Sequence, residues 1–156
     1  MTAPLLSLYR RFTRWPAGHW LFSRAVCFKA PYFASISPLV TRLEPGRCEA
    51  RIRQRRRISN HIGTVHAIAM CNLAELAGGL MVDASLPADM RWIPKGMEVK
   101  YQAKALGVLQ AEATPLSPIV SATSGYDLPV LVSVRDSKGV EVFQARIAMW
   151  VSPRKG

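Results

Sequence analysis

The spacing of apolar positions changes character twice along the chain. Across Leu5–Phe28, Leu5, Leu8, Tyr9, Phe12, Trp15, Trp20, Leu21 and Phe22 are set among Arg10, Arg11, Arg14 and Arg24. The first half of this stretch predicts a basic amphipathic helix, broken at Trp15-Pro16-Ala17-Gly18, and a second short helix follows. From Ile36 the period falls to two. Cys48, Ala50 and Ile52 point one way while Arg47, Glu49, Arg51 and Arg53 point the other, which predicts a half-buried strand over Arg47–Arg57. A turn at Leu43-Glu44-Pro45-Gly46-Arg47 feeds it from an earlier strand near Ile36–Leu43. Met97–Ala105 alternates in the same way. Val108–Thr114, Pro129–Asp136 and Val140–Val151 predict further strands, the last two joined by an Asp136-Ser137-Lys138-Gly139 hairpin turn.

One segment breaks the alternation. Thr64–Leu86 is apolar on nearly every side and lacks proline, so it predicts a helix buried all round. Its length also suits a membrane span, but His66, Asn72, Glu75 and Asp83 make insertion costly, and strands rather than further spans follow. The order predicts an α+β fold: an antiparallel sheet wrapped around one long central helix (residues 30–156), preceded by an N-terminal helical segment (residues 1–29). A lone curved sheet around one helix leaves an edge strand and an apolar surface open, so at least a dimer, and in some arrangements a tetramer, is expected.

Composition narrows the picture. At 156 residues the chain has room for one domain, and 49% apolar against 20% charged residues excludes intrinsic disorder. Its 21 Lys and Arg outnumber ten Asp and Glu, a net +11 that favours an anionic partner. Cys27, Cys48 and Cys71 are far apart and form no CxxC pair, so neither a disulfide framework nor a zinc site is expected and a reducing cytoplasm fits best. Leu5–Leu8 is too short for a signal-peptide core. The first 43 residues hold six Lys and Arg and no acid, as organelle transit peptides do, yet they are aromatic-rich and run on into the fold. This segment could lie on a membrane surface. Packing over one edge of the domain is the expectation.

The candidate chemistry is concentrated at Ser59-Asn60-His61-Ile62-Gly63-Thr64-Val65-His66 and at Glu75. Asn60 or Thr64 could cap the helix, and the histidines could be ordinary loop residues. Glu75 is harder to dismiss. It stands among Leu73, Ala74, Leu76 and Ala77, and no Lys or Arg occurs between Arg57 and Arg91 to neutralise it. A buried carboxylate without a partner is costly or shifts its pKa, and such groups gather at functional sites. Nine residues of helix correspond to about 900°, which puts His66 and Glu75 on opposite faces roughly 13 Å apart, too far for one subunit to join them easily.

The run Asn60-His61-Ile62-Gly63-Thr64-Val65-His66-Ala67, with Leu73-Ala74-Glu75 nine residues after His66, resembles the signature of the hotdog-fold acyl-CoA thioesterases, in particular the phenylacetyl-CoA thioesterase subgroup. Ala30-Pro31-Tyr32-Phe33, Glu75-Leu76-Ala77-Gly78-Gly79 and Trp92-Ile93-Pro94-Lys95-Gly96 make the chain more similar still to a group of bacterial hotdog proteins of undefined function. The resemblance implies a hotdog homodimer that hydrolyses an acyl-CoA or acyl-carrier-protein thioester at its interface. Glu75 of one subunit would be base or nucleophile, with Asn60 and His66 from the other. Gly63, Thr64 and Ala67 would contact substrate, the helix-start amides near His66 and Ala67 holding the oxyanion. Coenzyme A enters only as part of the substrate, and no metal or redox cofactor is implied. The sequence departs from the family pattern where Ala67-Ile68 replaces Gly-Gly, where Glu75 replaces Asp, and at Ile93-Pro94, where a helpful hydroxyl is absent.

Two other readings use the same residues. His61 and Glu75 are fourteen apart, the spacing of the catalytic pair in hotdog hydroxyacyl dehydratases, although Ala69-Met70 stands where those enzymes carry Pro-Gly. A non-catalytic acyl-CoA-binding protein is the other. Cys71 as a nucleophile is set aside as an inert helix thiol. Arg51, Arg53, Arg55, Arg56 and Arg57 before the loop, and Lys95, Lys100 and Lys104 after it, are candidates for coenzyme A phosphates or an acidic carrier, with Arg57 and Lys95 nearest the site. A solvated strand face is the alternative. Nucleic acid fits poorly, because no aromatic interrupts the arginine run.

Overall fold

The computed structural model describes residues 4–154. Helices α1 (Pro4–Phe12) and α2 (Gly18–Lys29) lead, through a 3-10 turn at Pro31–Ile36, into β1 (Leu39–Glu44) and β2 (Arg47–Arg53). After a second 3-10 turn (Arg56–Ile58) and the polar loop comes α3 (Ala67–Ser85), then β3 (Met90–Tyr101), β4 (Val108–Pro115), β5 (Tyr126–Asp136) and β6 (Glu141–Pro153). The six strands form one antiparallel sheet in the order β1-β2-β4-β5-β6-β3. The sheet curls around α3, as the alternating strands and the all-apolar helix predict.

Alternation fixes which strand face meets α3. Cys48, Ala50 and Ile52 on β2, Leu109, Ala111 and Ala113 on β4, and Leu128, Val130, Val132 and Val134 on β5 are all buried. Leu73, Ala74, Leu76, Ala77 and Met81 of α3 fill the concave side. Gly78 lets the helix sit close to the sheet, since a Cβ there would lie 3.0 Å from Ile147 Cδ1. Although α3 is long and apolar enough to cross a bilayer, most of it is buried inside the domain.

Two strands begin earlier than the sequence suggests, each because a proline reads as a strand boundary. Pro94-Lys95-Gly96 looks like a turn before Met97, but in β3 it is a bulge, with the register against β6 shifting between Pro94 and Gly96. β3 bonds only β6 among the described residues, and an edge strand tolerates a missing N–H. Pro129 lies inside β5. Its carbonyl accepts from Leu116 N at 2.9 Å, so the absent N–H points the same way, past the end of β4. β2 stops at Arg53, short of the expected Arg57, because the chain turns into the 3-10 segment. The Asp136–Gly139 hairpin forms as expected, with Asp136 Oδ1 accepting from Lys138 N and Val140 N at 2.9 and 3.0 Å and Gly139 at φ +81°.

The other edge of the sheet, β1, is covered by the N-terminal helices. Val40 N donates to Ser23 Oγ at 2.8 Å, His19 Nδ1 donates to Val40 O at 3.1 Å, and Tyr9 Oη donates to Thr41 O at 3.2 Å. Arg24 Nη2 adds a bond to Pro38 O at 2.9 Å. Side chains of α1 and α2 thus occupy backbone positions that a seventh strand would need. Phe22 is the apolar anchor of this layer, fully buried edge-on against Tyr9 and Phe12.

Candidate active site

The loop from Ser59 to His66 is organised by Asn60. Its Oδ1 accepts from Ile62 N at 3.2 Å and Thr64 N at 3.0 Å, and its Nδ2 donates to Thr64 Oγ1 at 2.8 Å. Gly63 closes the turn at φ +77°, a conformation that favours glycine. Gln54 secures the loop from outside, donating through Nε2 to Gly63 O and accepting at Oε1 from Gly107 N, both at 2.8 Å. Asn60→Ala removes three hydrogen bonds from one loop and is expected to lower stability by about 1–3 kcal/mol, read as a fall in urea midpoint with an unchanged m-value.

α3 begins later than expected and neither Asn60 nor Thr64 caps it. The N-cap is His66, whose Nδ1 accepts from Ile68 N at 3.1 Å. Asn60 and Thr64 are absorbed by the loop, which leaves the imidazole as the acceptor at the helix start. The expected pair of oxyanion donors is reduced for the same reason. His66 N already donates to Ile58 O at 2.8 Å, and Ala69 N and Met70 N both turn back to His66 O. Ala67 N is the first-turn amide left without a protein acceptor among the described residues. His61 and Gly63 are exposed on the same loop, while Thr64 is buried beneath it.

The expectation that α3 is buried all round needs correction. Ile68, Glu75 and Asp83 are exposed and Cys71 is half-buried. These positions, with Gly79, lie on one stripe at helical spacing. The sheet and the N-terminal layer cover the rest of the helix, and along this stripe β3 and the N-terminal layer leave α3 partly open. β3 runs antiparallel to it. Trp92 Nε1 donates to Asp83 Oδ1 at 2.6 Å near the C-terminal end of α3, and Tyr101 Oη meets Cys71 Sγ at 3.5 Å nearer its start. The bond to the Cys71 thiol, together with burial, pushes the Tyr101 phenol up to about 12. Cys71 is therefore a half-open thiol under a tyrosine rather than a core residue.

Glu75 is thus not the buried acid its apolar neighbours suggest. It is exposed, and no cation lies within ion-pair distance of it among the described residues. It lines a cavity of about 660 Å³ whose walls are mainly apolar: Leu76 and Leu80 from α3, Val26 and Phe33 from the N-terminal layer, and Trp92 from β3. Lys29, Asp83 and Arg154 supply its other charges. Asp83 is exposed along one side but lines the cavity, and the desolvation of its carboxyl there pushes it up, against the opposing pull of the Trp92 bond and of Lys29 and Arg154. An acid whose folded pKa is raised costs stability once pH exceeds that pKa and costs nothing below its unfolded pKa. Asp83→Asn, which keeps an acceptor for Trp92, is therefore expected to match the wild-type Tm in strong acid and exceed it slightly at neutral pH.

The structure thus gathers Asn60, His61, Gly63, Thr64, His66 and Ala67 at the start of α3, and places Glu75 about 13 Å further along the axis in a separate cavity. Met70 and Met81 of α3 are core. Sequence reasoning missed Val26, Lys29, Asp83, Trp92 and Arg154 as lining residues; they come from α2, α3, β3 and the segment just after β6. Only the aromatic and basic N-terminus signalled that this layer would contribute. Arg57 is exposed beside the loop, but Lys95 has Asp127 Oδ1 at 3.2 Å and stacks over Trp150, so it already has an anionic partner. On the outer sheet face Arg42 and Arg47 pair with Glu44, Glu49 and Glu112, whereas Arg51, Arg53, Arg55, Arg56 and Arg57 meet no carboxylate among the described residues.

The family model described as "Domain of unknown function (DUF4442)" matches residues 18–151. The chain belongs to this family. Among solved structures, it is 44% identical to a crystal structure described only as a genomics target, covering 96% of this chain and 99% of that one at a TM-score of 0.81. A Pseudomonas aeruginosa protein of unknown function, described as a probable thioesterase, is 23% identical over 82% of this chain and 91% of its own, with a TM-score of 0.69. A thioesterase from Haemophilus influenzae is 15% identical over 78% of this chain and 82% of its own, at 0.68. No curated protein matches the sequence. These neighbours confirm the hotdog fold that the residues from Asn60 to Glu75 suggest, and the DUF4442 family accords with the hotdog group of undefined function.

Proposed function

We propose that this DUF4442 protein hydrolyses a thioester of coenzyme A or acyl carrier protein at a site shared by two copies. The observation that carries this reading is Glu75, an open carboxylate in a mainly apolar cavity with no ion-pair partner among the described residues. Structural neighbours described as thioesterases support it. Pairing of two copies along β3 is supported by its long unbonded outer edge and by the exposure of Ile93 and Tyr101 on it. A two-fold arrangement would bring Glu75 of one subunit towards the α3 start of the other.

Glu75 then takes a proton from water while the water oxygen attacks the thioester carbonyl. The tetrahedral oxyanion is held by Ala67 N–H, with the positive end of the α3 dipole behind it. Collapse expels the thiolate, and the proton passes from Glu75 to the sulfur. Direct attack by the Glu75 carboxylate would give an anhydride instead, and hydrolysis in heavy-oxygen water under single turnover would then label Glu75. The unpaired arginines from Arg51 to Arg57 supply positive charge for substrate phosphates or an acidic carrier. The reaction needs no metal or redox group.

A panel of short, long and aromatic acyl-CoAs, followed by thiol release, tests the reading on wild type and Glu75→Ala. Turnover of at least one class, lost in the variant, is expected. Binding without turnover is the second reading, favoured by the exposed Ile68 side chain next to the Ala67 amide. Acyl-CoA binding in calorimetry, with no thiol released across the panel, would establish it in place of hydrolysis. Hydration of an enoyl-CoA would point to a dehydratase through His61 and Glu75.

A further inference from the structure

We propose that the outer face of α1 and α2 is a docking surface for an anionic lipid bilayer. The face is apolar where a folded helix layer is normally polar. On α2, Phe22, Ser23 and Cys27 are buried, while Trp20, Leu21 and Phe28 are exposed and fall within about 100° of one another around the helix. Phe28 is 92% exposed, and Trp15, in the turn between the helices, is 71% exposed. On α1, Leu6 and Tyr9 are buried, which turns Leu8 and Arg11 outward. Both helices pack on the domain through their inner faces, Leu6, Tyr9 and Phe22 joining its core, and these outward groups face solvent.

Charge identifies the occupant. Arg10, Arg11 and Arg14 are exposed here and pair with no carboxylate among the described residues. The first acid in the whole sequence is Glu44, so the layer itself contains nothing to neutralise them. A second protein surface would bury these guanidinium groups at a cost, whereas an anionic headgroup layer accepts arginine at its phosphates and tryptophan and phenylalanine just below them. The backbone bonds from Ser23, His19 and Tyr9 to β1 hold the helices as a fixed platform, so the aromatics need not unfold from the core to reach lipid. This inference is independent of thioester hydrolysis and would stand for a binding protein or a dehydratase.

Co-sedimentation of the full chain with phosphatidylcholine vesicles, with and without phosphatidylglycerol, tests it. Binding to the anionic vesicles alone, weakening as salt rises, is expected. Trp20→Ser with Phe28→Ser should reduce partitioning about tenfold or more. Arg10→Gln, Arg11→Gln and Arg14→Gln together should reduce it roughly a hundredfold, at about fivefold per arginine. All five positions are exposed, so these variants keep the core, and circular dichroism confirms it. The proposal is overturned if anionic vesicles leave the protein in the supernatant. It is equally overturned if neither variant weakens binding while Arg51→Gln, Arg53→Gln and Arg55→Gln together abolish it. A fall in oligomer mass for the Trp20 and Phe28 variant would instead assign the face to a second copy of the chain.

Discussion

Glu75→Gln is expected to lower kcat for the preferred acyl-CoA by about 10²–10⁴-fold, the usual contribution of a positioned general base, with KM little changed. Glutamine keeps the size and polarity of the side chain, so a loss in kcat isolates proton transfer from packing. Because Glu75 is exposed in the single chain and makes no ion pair among the described residues, the substitution breaks no structural contact and the variant should fold with wild-type stability. A matched loss of thermal stability would mean that the carboxylate has a structural partner in the assembled protein. Unchanged turnover would remove Glu75 from the chemistry altogether. The decisive measurement is thiol release under saturating substrate, paired with a melting curve on the same preparation.

The largest effect on stability is expected at Phe143. Its ring is fully buried in β6, paired across to Tyr101 on β3 and to Val134 on β5, with its centroid 5.5 Å from the Tyr101 ring. Phe143→Ala opens a cavity between β3, β5 and β6, and neighbours on three strands cannot all move to fill it. A loss of about 3–5 kcal/mol is expected, measured as a lower urea midpoint at constant m-value. Tyr101 gives the variant a second readout. Without the ring that packs against it, Tyr101 should lose its position over Cys71, and its phenol should ionise below its present value of about 12. Ultraviolet titration of the tyrosines follows that change.

Much of this architecture was legible from spacing alone. The alternation at Cys48, Ala50 and Ile52 gave the buried face of β2 correctly, and the Asp136–Gly139 turn joined β5 to β6 as expected. The strand limits failed where proline was read as a stop, because a residue string does not say whether a missing N–H faces a neighbouring strand or open space. Pro94 lies at a bulge in an edge strand and Pro129 lies opposite the point where β4 has ended, so neither interrupts a continuous ladder. The candidate site was partly legible for a different reason. Glu75 stood out by its apolar neighbours, but the same neighbours implied burial on every side. In a helix that is apolar all round, sequence periodicity cannot choose which stripe is left open, and the tertiary packing of β3 and the N-terminal layer decides it. His66 as the cap was equally hidden, since whether Asn60 or Thr64 is available depends on loop bonds that close between residues four apart.

The hydrogen bonds from Ser23, His19 and Tyr9 to β1 bear on how many molecules can associate through strand pairing. A unit with both sheet margins available can add neighbours on either side and grow into a fibre. One whose first margin is plugged by its own leading helices has a single bonding position remaining, and once that is shared the assembly is complete. The leading helices therefore act as a terminator: they leave one sheet margin for any strand-to-strand association, which would then stop at a pair rather than run on into an open polymer.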